Sequence, residues 1–262
     1  MKITQRAFVS FDELCPYECK YCYTYGIKRE KIRTTQEIVN SIAEKKFDVI
    51  YVSQKNDNFA NPLKGLDLCR QLFQKYRTNI FIITRNVFND SELVELEKLK
   101  ADIGSENKQI FIAVSLNAID SIDICENTDR VCSPKERIEF LKKLSDKGFT
   151  PILMLRPIFP DTIIPVEECL QIIDRTHSYI SCVVSSGLGV NQDILDRLGI
   201  NESQFSYNQN QEYLQGAIDC EIKFINVDYE IQKISQKCQS LKIPMFEHSM
   251  PALNYLLESY NE

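Results

Sequence analysis

Cys15, Cys19 and Cys22 fall within eight positions, spaced C-x3-C-x2-C, directly after an apolar run from Ala7 to Phe11 that reads as a strand. Thiolate is a soft ligand, and a tight loop carrying three of them can hold three corners of an iron–sulfur cluster. A [4Fe–4S] cluster has four irons, so three protein ligands leave one iron open to an outside ligand. Structural zinc would want a fourth protein ligand. None follows nearby: the next cysteine is Cys69, and the only histidines are His177 and His248. A disulfide element fits an odd triplet poorly, and the polar start from Met1 to Arg6 reads as no targeting peptide.

With Tyr21 standing just before its last cysteine, the triplet resembles the radical S-adenosylmethionine (radical SAM) superfamily. The resemblance implies two cofactors, a [4Fe–4S] cluster and S-adenosyl-L-methionine (SAM). The open iron would chelate the SAM amine and carboxylate. One electron would then cleave SAM to methionine and a 5′-deoxyadenosyl radical that takes hydrogen from a substrate.

The elements that must position this loop alternate along the chain. Apolar runs at Phe8–Phe11, 48–53, Ile80–Thr84, Ile110–Val114, Thr150–Leu155 and Ile180–Val184 read as buried parallel strands. Helical spacing falls between them: Thr35–Lys46, Pro62 to about Tyr76, a helix capped at Ser91, one opened by Ser133-Pro134 and stopped by Gly148, and one opened by Pro165. Six such units predict an α/β fold, a (β/α)6 partial TIM barrel whose sheet stays an open crescent, with the chemistry at the C-terminal strand ends. Doubly wound sheets share the alternation. After about Gly189 the pattern changes. Residues 1–188 read as a partial-barrel core and residues 189–262 as a C-terminal α/β extension packed on its edge, with a strand at Ile222–Val227, a helix at Asp228–Leu241, a short strand at Ile243–Phe246 and a terminal helix from Pro251.

The strand ends offer the polar groups that SAM would need. Strand two ends in Ser53, followed by Asn56 and Asp57; strand three in Arg85; strand four in Ser115 and Asn117; strand five in Arg156. Each polar residue could equally be a loop cap. Arg85 and Arg156 directly follow apolar strands, so one could grip the SAM carboxylate while the other pairs with a substrate acid or a glutamate of the protein. Val114-Ser115-Leu116-Asn117, Glu126-Asn127-Thr128, Ser133 to Ile138, Gly148 and Pro157-Ile158 look like the spore photoproduct lyase and DNA repair photolyase branch, over roughly residues 5–188. By that resemblance the position of Ser115 helps hold SAM, and Ser53 or Asn56 supplies a second polar contact. Arg85 stands where the branch has a carboxylate-binding lysine. The branch's hydrogen-donor cysteine has no counterpart between Tyr51 and Asp57. The expected ligand sets are therefore Cys15, Cys19 and Cys22 for iron, and Tyr21, Ser53, Asn56, Arg85, Ser115, Asn117 and Arg156 for SAM.

The chain of 262 residues is 44% hydrophobic and 26% charged, enough for a large core. No apolar run approaches the roughly 18 residues of a spanning helix. The formal net charge is −6, and the excess acid lies in residues 189–262. That balance does not suit duplex DNA, whose binding depends on phosphate neutralisation. The other cysteines read as buried small side chains in a reducing cytoplasm, one of them a candidate hydrogen-atom donor. Tyr21, Tyr23 and Tyr25 would shield the cluster or relay a radical. The basic patch Lys28–Arg33 would suit an acidic electron donor such as a flavodoxin or ferredoxin. The substrate stays open between small molecule, peptide and nucleotide. Two rival readings are an iron–sulfur redox or regulatory protein that never cleaves SAM, which four protein ligands would favour, and a zinc-stabilised nucleic-acid-binding module.

Overall fold

The structure is a computed structural model that describes residues 2–26, 31–42, 46–53, 55–208 and 222–259. Strands and helices alternate as β1 (Arg6–Val9), α1 (Thr35–Asn40), β2 (Val49–Val52), α2 (Pro62–Tyr76), β3 (Asn79–Thr84), α3 (Asp90–Gly104), β4 (Ile110–Ser115), α4 (Ile122–Cys125), α5 (Pro134–Asp146), β5 (Ile152–Ile158), α6 (Val166–Thr176) and β6 (Cys182–Gly187). Then follow β7 (Gly189–Val190), α7 (Gln192–Leu198), β8 (Lys223–Phe224), α8 (Asp228–Ser240), β9 (Met245–Phe246) and α9 (Ser249–Ser259). The main sheet has seven strands in the order β1-β2-β3-β4-β5-β6-β9, and every pairing in it is parallel. This is the expected α/β partial barrel, one strand wider than the six expected because β9 of the C-terminal region pairs with β6, so that β1 and β9 are its edges.

Side-chain alternation separates two apolar layers. Ile50, Val52, Ile80, Ile82, Ile112 and Val114 face the helices on the outer side. Val49, Tyr51, Phe81, Phe111, Met154 and Val184 face the inner side, where Ala252, Leu253, Leu256 and Leu257 of α9 cover them. The period of two along each strand sets this partition. Among the described residues no helix is long and apolar enough to cross a membrane.

Several boundaries differ from the sequence reading. β1 ends at Val9, because the Phe11 amide donates to Asn58 Oδ1 at 2.9 Å instead of to a neighbouring strand. α1 ends at Asn40 with Ser41 as its C-cap, and residues 43–45 of the longer expected helix lie outside the described residues. α3 starts earlier than Ser91: Asn89 and Glu92 close a capping box around Asp90. β6 runs on through Ser185 and Ser186 to Gly187, held by pairing with β5 although Ser and Gly are poor strand formers. β8 is the expected strand at Ile222–Val227 shortened to Lys223–Phe224, whereas its antiparallel partner β7 and the one-turn α4 carry no periodic signal of their own.

Gly65 fixes the approach of α2 to the loop after β2. A Cβ there would lie 2.5 Å from a Phe59 ring carbon and 2.9 Å from the Asn58 carbonyl oxygen. Gly65→Ala should destabilise the protein by about 1–3 kcal/mol through this overlap. Thermal unfolding checks this, since an exposed helical Gly→Ala change would instead stabilise.

Candidate functional site

The cysteine loop leaves β1 at the C-terminal edge of the sheet and folds by short local turns. The Cys22 amide donates to the Cys19 carbonyl at 3.0 Å, and the Tyr25 amide donates to the Cys22 carbonyl at 3.2 Å. Glu18 takes a left-handed φ of 47° to make room for the first turn. The Lys20 amide then ties the loop to the Cys125 carbonyl at 2.9 Å. Cys19 is buried, Cys15 and Cys22 are half-buried, and all nine described cysteines are free thiols.

Cys22 lies near enough to Cys15 and Cys19 to disfavour the ionisation of both. Burial pushes the Cys19 thiol up to about 12, with Cys22 and Cys15 adding and Arg85 opposing. Burial also raises Cys15, against amide hydrogen bonds from Asp57 and Tyr17. Thiols that resist ionisation alone are deprotonated by a coordinated cation, so this donor set suits a metal cluster. Among the described residues no three His, Cys, Asp or Glu side chains gather around a single ion. One zinc ion would draw every sulfur to about 2.3 Å of one centre. A cubane instead takes one thiolate on each of three irons.

Two further cysteines border the loop, and both thiols meet protein acceptors. Cys125 Sγ donates to the Ile122 carbonyl at 3.4 Å, and Cys132 Sγ donates to Asn86 Oδ1 at 3.1 Å.

Arg197 of α7 reaches the loop from the C-terminal quarter of the chain. Its guanidinium donates to the Cys22 carbonyl at 3.0 Å and the Cys19 carbonyl at 3.5 Å, and lies 4.4 Å over the Tyr25 ring. Asp193 one turn earlier orients it at 3.0 Å. Arg197→Ala should loosen the loop and speed the release of reconstituted iron to a chelator by about 10-fold, the lower end of the range for outer-shell partners of metal ligands. Iron release followed by absorbance checks it.

The residues expected to hold SAM divide into three groups. Tyr21, Arg85 and Ser115 belong to one buried ionic network. Arg85 Nη2 donates to the Tyr21 hydroxyl, its Nε meets Glu126 Oε1 at 3.2 Å, and its backbone amide donates to Asp57 Oδ2 at 2.7 Å. Glu126 also binds Arg137, at 2.6 and 3.2 Å, and Arg137 donates to the Ser115 carbonyl at 2.9 Å. Arg85 thus pairs with a glutamate of the protein, one of the three roles foreseen for an arginine at this edge.

The second group shapes the loop after β2. Ser53 sits at φ 89°, in the region that favours glycine, and its hydroxyl accepts from the Asn58 amide at 3.0 Å. Asn56 donates from Nδ2 to the carbonyls of Phe11 and Glu13 at 3.0 and 3.1 Å, while its buried Oδ1 has no partner. The buried Tyr17 hydroxyl has none either. A buried polar atom left unpaired costs about 1–3 kcal/mol, a cost that a bound ligand would offset. The third group is nearer β5. Asn117 Nδ2 donates to the Pro157 carbonyl at 3.3 Å, and Arg156 Nε donates to Ser186 Oγ at 2.6 Å.

Four site residues lie outside the expected ligand sets: Asp57, named in the sequence only as a polar group after strand two, and Glu126, Arg137 and Arg197, which carry no role in the sequence reading. Asp57 is buried and gathers the Phe59 amide, the Thr84 hydroxyl and the Arg85 amide, while its own amide faces Cys15. The basic patch also looks different in three dimensions. Lys28 and Arg29 lie outside the described residues, while Lys31 pairs with Glu37 at 2.9 Å and Arg33 with Asp12 at 2.6 Å.

Residues 9–173 match a family model described as the Radical SAM superfamily. No curated protein sequence matches the chain. Among solved structures, a spore photoproduct lyase variant with bound AdoMet and dinucleoside spore photoproduct is similar over 92% of this chain and 75% of its own, at 11% identity and a TM-score of 0.62. A second variant of that lyase covers 95% of this chain and 79% of its own, at 11% identity and a TM-score of 0.64. Methylornithine synthase (PylB) is similar over 71% of this chain and 54% of its own, at 13% identity and a TM-score of 0.50. At such identities the likeness is one of fold.

Proposed function

The chain belongs to the radical SAM superfamily, a family of enzymes that use a [4Fe–4S] cluster and SAM, and on that premise we propose that Cys15, Cys19 and Cys22 each bind one iron while the fourth iron is left for SAM. The cluster supplies, when bound, the electron that cleaves SAM to methionine and a 5′-deoxyadenosyl radical able to abstract hydrogen from a substrate C–H bond. The observation that carries this reading is the three-thiol loop itself, flanked by Cys125 and Cys132 whose thiols are turned to protein acceptors. That arrangement favours an open iron over a closed four-cysteine redox centre.

In this reading the protein binds and orients. Asn56 Oδ1, buried and unpartnered, accepts a hydrogen bond from the SAM amine or ribose. Ser115 and Asn117 present the end of β4, held in place by Arg137 and by the Pro157 carbonyl. Arg85 keeps Nη1 unused among the described residues and takes the SAM carboxylate, with Glu126 fixing its plane. Tyr21 packs edge-to-face on Phe159 at 5.7 Å and shields the cluster from water. Ser53 acts through its turn. The electron donor is a small acidic protein of the flavodoxin or ferredoxin type, and the reducing cytoplasm suits so many free thiols.

The test is direct. The protein is reconstituted anaerobically with iron and sulfide, then given SAM and dithionite. 5′-Deoxyadenosine is expected. A cluster-loaded protein that yields none, with candidate substrates present, would overturn the reading.

A further inference from the structure

Two arginines on the inner face of the sheet, Arg6 and Arg156, form no ion pair among the described residues. Arg6 of β1 lies 4.9 Å over the Phe8 ring and 5.3 Å from the centre of the Tyr51 ring. Phe8 and Tyr51 are register partners of β1 and β2, so this guanidinium runs up the inner face towards the C-terminal edge. Across the crescent Arg156 follows Ile152 and Met154 on the same face of β5, and Ser186 follows Cys182 and Val184 on β6. The 2.6 Å bond from Arg156 Nε to Ser186 Oγ fixes the plane of that guanidinium and leaves both of its terminal nitrogens without a protein acceptor among the described residues. Neither Arg6 nor Arg156 makes an ion pair with a described acid. His248, two residues beyond β9, completes the arc as a largely uncharged imidazole: burial first, and then both arginines, disfavour its charge, against Glu247. Tyr51, whose hydroxyl accepts from Ser249 at 3.0 Å, lies within electrostatic reach of both guanidiniums.

Arg156 is half-buried while Arg6 is exposed, and holding a half-buried guanidinium beside a second positive charge is unfavourable unless something negative joins them. The chain is acidic overall, at −6, so this cationic arc runs against its average. Its place is above the apolar layer that α9 covers and near Tyr23, the residue after Cys22, with which Arg156 interacts. We propose that Arg156 and Arg6, with His248, form an anion-binding subsite that takes the carboxylate or phosphate of a small-molecule substrate and holds its reacting end toward the cysteine loop. This rests on the radical SAM reading and adds to it the class of substrate. A planar guanidinium with two parallel N–H groups matches either oxyanion bidentately.

Isothermal titration of the cluster-reconstituted protein tests the subsite with inorganic phosphate and with acetate, against sodium chloride at matched ionic strength. Saturable binding of at least one of the two probes is expected, and whichever binds more tightly identifies the anion. Arg156→Gln should weaken it at least 10-fold. Arg156→Lys should weaken it less. Arg6→Gln, at an exposed position whose loss does not threaten folding, should weaken it several-fold. SAM affinity should change by less than twofold in all three variants, and phosphate should not displace SAM. Equal anion binding by the wild type and Arg156→Gln, or no saturable binding by the wild type, would overturn the proposal. So would a 10-fold loss of SAM affinity in Arg156→Gln, which would give this guanidinium to the SAM carboxylate. Failure of the radical SAM reading shows separately, as absence of 5′-deoxyadenosine from the wild type.

Discussion

Cys19→Ser is expected to lose the cluster and, with it, all SAM-dependent formation of 5′-deoxyadenosine. Cys19 is the most buried of the three thiols and sits in the small apolar cluster that includes Tyr17 and Tyr21. Serine preserves the volume but offers a hard oxygen in place of a soft sulfur, which iron–sulfur clusters hold poorly. Burying the hydroxyl costs about 1–3 kcal/mol, small beside the stability of a large domain, so the variant should fold. Iron per chain and the charge-transfer absorbance of the reconstituted protein should fall to background, while the unfolding temperature of the apo-protein falls by roughly 2–10 °C and the cooperative transition remains. The informative controls are Cys125→Ser and Cys132→Ser, which should keep full iron content because both thiols already serve protein acceptors. Equal loss of iron from either control would mean that the polypeptide closes the fourth corner, and the redox reading would then replace the enzymatic one.

What the sequence reveals of this site is uneven for physical reasons. The cysteine spacing is legible because a three-ligand loop must be local. The parallel strands are legible because strands buried on both faces become continuous apolar runs, as in Ile110–Val114 and Ile80–Thr84. Contacts made across the fold leave no such trace. Arg197 reaches the loop carbonyls across a sequence separation of 175 residues, and nothing near it in the chain points to that partner. Lys31 and Arg33 read as a free basic patch, yet both are paired in the structure. Arg137 was within reach of a closer reading. With Leu141 and Leu144 it lies at i, i+4 and i+7, on the stripe that α5 buries, and a charge on such a stripe announces a buried partner. The partner, Glu126, stands in an aperiodic stretch just past α4 and could not be inferred from pattern alone.

That pair sets the largest expected loss of stability. The Glu126 and Arg137 side chains are each 1% exposed, and they meet at 2.6 Å. Glu126 also neutralises Arg85, whose side chain is 19% exposed, at 3.2 Å. Glu126→Ala would leave two guanidiniums in the interior, Arg137 without its paired carboxylate and Arg85 with only the more distant Asp57. Removing one partner of a buried ion pair costs about 3–5 kcal/mol, and in a chain of this size that lowers the unfolding temperature by roughly 10 °C. Glu126→Gln keeps the shape and should cost less than Ala while still losing the charge. The double variant Glu126→Leu with Arg137→Met should recover part of the loss, because an apolar pair needs no compensation. Recovery should stop short of the wild type, since the Ser115 carbonyl also loses its 2.9 Å donor and Arg85 remains unpaired. Calorimetry on the four proteins decides it. A Glu126→Ala cost below about 1 kcal/mol, the worth of an exposed pair, would mean that water reaches this network. The plane of Arg85 and the end of β4 would then lack the rigid support on which the proposed SAM contacts depend.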